Sequence, residues 1–133
     1  MIVLPLLLAA QAASETPQWN CADPQVQQEM NYCAHQDFLV ADAELNAQWK
    51  LVAEVMKQRD KHVGDMLDDG RPGYFQTLLD GQRAWLRYRD AHCASEGYLA
   101  RGGSMEPMLV GFCKASLTRA RTAQLRELTE IEG

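Results

Sequence analysis

The sequence predicts an all-α fold, an antiparallel three- to four-helix bundle with two disulfides. Apolar residues recur at three- and four-residue spacing along three separate stretches. No stretch shows the sustained alternation of a β-strand. The four cysteines, Cys21, Cys33, Cys93 and Cys113, are an even number in a short chain, as a disulfide framework requires. A length of 133 residues suits one domain. Such a chain buries about two-thirds of the surface its unfolded form exposes, enough for a real core.

Asp23-Pro24 predicts the first helix start, an N-cap acceptor followed by proline in the first turn. The helix is expected from Pro24 to Lys61, with Met30, Cys33, Phe38, Ala41, Leu45, Trp49, Val52 and Met56 on its apolar side. It reads as continuous or as two nearly collinear helices with a kink near Gln36. The cluster DDGRPG, Asp68 to Gly73, is a turn. A second helix is expected from Tyr74 to Glu96, with Phe75, Leu78, Leu79, Trp85 and Leu86 as its apolar positions. Gly81 lies inside it at a cost of about 1 kcal/mol, and Gly97 is placed to cap its C-terminus. Glu96 to Pro107 reads as a loop. A third helix follows from Glu106 to Glu130, with Leu109, Phe112, Cys113, Leu117, Ala120, Leu125 and Leu128 expected on its apolar side.

Three cysteine pairings are open, and the local one, Cys21–Cys33 with Cys93–Cys113, is favoured. Cys93 falls near the end of one helix and Cys113 near the start of the next, so joining them needs only a loop closure. Cys21 precedes a helix start and must fold back along it to reach Cys33. No CxxC is present, which disfavours zinc ribbons and thioredoxin-like redox motifs.

Residues 1–12 read as a secretory signal peptide, leaving 13–133 as a single domain. Ile2 to Ala9 is apolar but too short to span a bilayer, and Ala10-Gln11-Ala12 fits a cleavage site. No Lys or Arg precedes the apolar run, so the natural start is expected upstream or trimmed. Disulfides and signal together predict a periplasmic or secreted protein without a membrane span. The formal net charge of −5 argues against nucleic-acid binding and permits a basic protein partner.

No catalytic, metal or cofactor pattern stands out. There is no GxSxG, GxGxxG, P-loop or HExxH, and His35, His62 and His92 are scattered. Any glycosidase pair drawn from 18 acidic residues would be arbitrary. Two polar groups remain. Asp42 and Asn46 share one face of the first helix, and Gln82, Arg89 and Cys93 share one face of the second with Trp85 or Leu86. Antiparallel packing brings Asp42 within reach of Arg89. A bidentate ion pair is expected, with Asn46 and Gln82 satisfying leftover donors, as a structural network rather than a binding pocket. Arg83 and Arg87 fall on the solvated side.

The set MNYCAHQDFLVADAELNAQW (Met30 to Trp49), QRAWLRYRDAHC (Gln82 to Cys93), GGSMEP (Gly102 to Pro107), Cys113 and TRARTAQLREL (Thr118 to Leu128) resembles the LprI-like family. This is the lysozyme-inhibitor LprI N-terminal domain of secreted bacterial proteins. The likeness runs from Cys21 to Leu128, and its motifs are specific as a set and weak singly. Trp49 stands where the family's pattern has a tyrosine-like residue. The resemblance implies an exported helical domain with bridged cysteines. It implies lysozyme inhibition by analogy with the member that names the family, and it supplies no catalytic residues.

An acidic chain would meet a basic C-type lysozyme with favourable electrostatics. Two loops are candidates for that contact. Gly64 to Gly73 carries Asp65, Asp68, Asp69 and Arg71; Gly97 to Pro107 carries Tyr98, Arg101, Ser104 and Glu106 and is stapled by the expected Cys93–Cys113 bridge. The plainer reading of both is a connecting loop. The alternative functions are a periplasmic interaction module and, less favoured, a glycan-acting enzyme.

Overall fold

The computed structural model describes residues 19–63 and 66–131, so the expected signal segment lies outside them. Three α-helices account for most of this span: α1 (Gln27–Val63), α2 (Tyr74–Gly97) and α3 (Glu106–Glu130). A single 3-10 turn, Tyr98–Ala100, follows α2. No strand occurs among the described residues. Successive helices are antiparallel, so α1 and α3 run in the same direction and form the most extensive contact of the bundle.

Helix α1 is continuous past Gln36, and it begins at Gln27 rather than Pro24. The residues before it are spent on the first disulfide. Asn20 accepts the Ala22 N–H at 3.0 Å through its side chain, an Asx turn that sends Cys21 back along the helix. Cys21 and Cys33 then bridge with Cα atoms 5.3 Å apart. The helix start is closed instead by Glu29, whose carboxylate accepts the Gln25 N–H at 2.9 Å.

Helix α2 is capped from a distance. Both oxygens of Asp60, near the end of α1, accept N–H groups of its first turn, Tyr74 at 2.7 Å and Phe75 at 3.1 Å. Gly73 makes room, because a Cβ there would lie 2.6 Å from Asp60 Oδ1.

At this end the core is apolar and large. Leu45, Val52, Met56, Leu78 and Leu125 are buried together, with Trp49, Phe75, Trp85 and Leu128 packed around them. At the other end the interior is small: Ala34, Ala41, Gly111 and Ala115 with both disulfides.

The apolar side expected for α3 is partly wrong. Phe112 is 48% exposed and Ala120 faces solvent. The buried stripe is Gly111, Ala115, Thr118, Thr122 and Leu125, spaced four and three residues apart. Its members are small because α1 lies close: a Cβ on Gly111 would sit 2.9 Å from the Ala34 carbonyl carbon. Leu86 is likewise turned outward, and Trp85 takes the inward place.

Candidate functional site

The loop from Gly97 to Pro107 is built by three constraints. The first is its covalent base. Cys93 in α2 and Cys113 in α3 are bridged, with Cα atoms 5.4 Å apart. The second is the exit from α2. Gly97 is expected to cap α2, yet it is the last residue of the helix, with a helical φ of −59° and ψ of −29°; the cap position is Tyr98, and the chain runs straight into the 3-10 turn. Glycine is needed for proximity, since a Cβ would meet Val110 Cγ2 of α3 at 2.6 Å.

The third constraint is the loop's own hydrogen bonding. Gly102, at φ +76°, takes the left-handed conformation that glycine adopts without strain. Its N–H donates to the Glu106 carboxylate at 3.0 Å, and the Gly103 N–H donates to the Ala100 carbonyl at 2.8 Å. From α1, the Asn31 amide donates to the Ser104 carbonyl at 2.8 Å, and Gln27 supports Asn31 in turn, also at 2.8 Å. A loop held at its base, its tip and its flank has little conformational freedom to lose on binding.

What this loop presents is mixed. Leu99 is 86% exposed, and Tyr98, Arg101, Ser104 and Met105 are also exposed. The Arg101 guanidinium lies over the Tyr98 ring, 4.5 Å from its centroid. Glu106 is half-buried and committed to Gly102, so it shapes the loop from within.

The loop at the opposite end is organised differently. Asp65 lies outside the described residues. Asp68, Asp69 and Arg71 are exposed. Arg71 is bound back onto Asp69 by an ion pair, a side-chain hydrogen bond and its own backbone N–H. Those contacts from Arg71 hold the Asp69 carboxyl below the ordinary aspartate range.

Between the two ends lies the polar layer. Arg89 is 7% exposed. Its Nη1 stands 3.6 Å from Asp42 Oδ1, an ion pair without the expected two-pronged geometry. The same Nη1 donates to the Thr118 hydroxyl at 3.3 Å, and Nε donates to the Asp90 carboxylate at 3.0 Å. Its guanidinium also lies against the rings of Phe38 and Trp85. Gln82 accepts from Arg121 at 2.9 Å, and Asn46 is exposed with no side-chain hydrogen bond among the described residues. The expected foursome is therefore not one network. Thr118 and Asp90 take the places given to Asn46 and Gln82.

Beside the first disulfide, α1 and α3 leave a groove of about 400 Å³, lined by Cys21, Pro24, Met30, Val40, Met108 and Phe112 among others. Asp37 and Arg119 bridge the two helices at its edge with hydrogen bonds of 2.5 and 3.1 Å. That bonding from Arg119 holds the Asp37 carboxyl below its ordinary value.

One group resembles a metal site. His92, Glu96 and Cys113 offer ligand atoms within 4.8 Å of one another. The sulfur, however, is spent in the bridge to Cys93, and His92 is paired with Glu96 at 3.2 Å. Two free ligands do not make a metal site.

A protein of Rhizobium meliloti (strain 1021), named uncharacterized protein R02472, is 47% identical over 125 residues, covering 94% of this chain and 89% of the relative. No solved structure matches the chain. Residues 20–125 match the family described as lysozyme inhibitor LprI. That span takes in both disulfides, the Arg89 layer and the whole of the stapled loop, and the chain belongs to this family.

Proposed function

We propose that the protein is an exported inhibitor of lysozyme that acts as a binding protein, without catalysis of its own. The observation that carries this reading is membership of the lysozyme inhibitor LprI family over residues 20–125. The structure supports it in two ways. Both cysteine pairs are bridged and no free cysteine remains, as suits an oxidising compartment outside the cytoplasm. The loop from Gly97 to Pro107 is a pre-ordered projection that bears an exposed leucine, tyrosine and arginine, the kind of surface a rigid inhibitor needs. The net charge of −5 favours encounter with a basic lysozyme.

The test is lysis of bacterial cells, followed by turbidity, with the purified mature protein in excess over a C-type or a G-type lysozyme. Slower lysis with at least one of them is expected. Unchanged lysis with both removes the inhibitor reading and leaves an envelope interaction module.

A further inference from the structure

The chain as a whole is acidic, yet the best-built loop on it offers a cation. We infer that Arg101 is the residue that blocks the target's active site, by placing its guanidinium against the acidic side chains of the glycan cleft, with Leu99 and Tyr98 seated beside it. This rests on the inhibitor reading above and specifies its chemistry.

Three observations support it. Arg101 makes no ion pair among the described residues. Its contact is the Tyr98 ring, 4.5 Å away, which holds the guanidinium in place without neutralising it. By contrast Arg71, the arginine of the opposite loop, is already paired with Asp69. Within its own loop, the one carboxylate that could compensate Arg101 is Glu106, and Glu106 bonds the Gly102 N–H.

The other half of the fit comes from what glycoside hydrolysis requires. Retaining and inverting glycosidases place two carboxyl groups across the scissile bond, so the floor of such a cleft is acidic even on a basic protein. A planar guanidinium matches a carboxylate with two parallel hydrogen bonds. The inhibitor's overall negative charge then steers the encounter with the basic outer surface, and Arg101, the loop arginine without an ion pair among the described residues, meets the acidic interior. The opposite loop, with Asp68 and Asp69 exposed, would be repelled by the same cleft.

Inhibition constants against a basic C-type lysozyme test this, with thermal melting as the check on folding. Arg101→Glu is expected to weaken inhibition at least about thirtyfold, and Arg101→Lys to an intermediate degree, because the ammonium keeps the charge and loses the fork. Arg83→Glu, on the solvated face of α2 and outside both loops, leaves inhibition unchanged. A soluble N-acetylglucosamine oligomer competes with the native inhibitor for the enzyme. Should native protein inhibit while Arg101→Glu inhibits equally well, or should the oligomer fail to compete, the assignment of Arg101 falls and the inhibitor reading stands. Should native protein fail to inhibit, both fall.

Discussion

The two ends of the bundle are held together by different means. Around Leu45, Val52, Met56, Leu78 and Leu125, large apolar side chains leave water together, and each contributes about 1.5–3 kcal/mol on burial. Around Ala34, Ala41, Gly111 and Ala115 there is little side chain to bury, and two disulfides close the structure instead. The comparison teaches where a small domain can place its projections. Small residues let α1 and α3 approach closely and leave larger ones such as Val40 and Phe112 on the surface. The covalent bridges replace the burial energy that this arrangement gives up, and the ordered loop sits at that end.

The largest effect expected from this contrast follows loss of the bridges. Replacing all four cysteines by serine should cost about 3 kcal/mol per bridge. Hydrogen exchange should show amides of residues 27–41 and 97–113 losing protection first, while those of Leu45 to Met56 keep theirs. Equal loss at both ends in one step would break the comparison.

A smaller effect concerns the close approach itself. Gly111→Ala pushes a methyl into the backbone of α1 and should cost about 1–3 kcal/mol in urea unfolding. Gly81→Ala, where a Cβ meets nothing within 4 Å, should instead gain up to about 1 kcal/mol. If both glycines tolerate alanine equally, the small-residue contact is not tight.

The smallest effect is the pH response of Asp37. Its bonding to Arg119 lowers its pKa in the folded protein, so it contributes stability above the ordinary aspartate pKa and loses it as the pH falls through the lowered value. Both partners are more than a third exposed, which limits the contribution to less than about 1 kcal/mol. Asp37→Asn should therefore be slightly less stable than native protein at neutral pH, with the gap closing under acid. A gap that widens on acidification would contradict the pairing.

Much of this architecture is legible in the chain. Helix periodicity and turn clusters mark all three helices, and the position of Cys93 and Cys113 beside a loop marks their pairing. Antiparallel packing alone brings Asp42 to Arg89. What cannot be read is instructive. The buried face of α3 is written in Gly, Ala and Thr, residues with weak hydrophobic signal, so Phe112 draws the eye instead. The exposure of Leu99 depends on a 3-10 turn that follows a glycine set too close to Val110 for any side chain. Partners such as Thr118 and Asn31 are polar residues whose roles appear only when helices meet.

The remote cap on α2 has a consequence for how the family can vary. Asp60 fixes where α2 begins, whatever path the chain takes between the two helices. The connection is thereby freed from setting the register, and extra length there costs only the slowly growing entropy of a longer closure. That turn is accordingly the natural place for a graft: an inserted peptide or a fused domain at Gly70 would ride on the bundle without disturbing it.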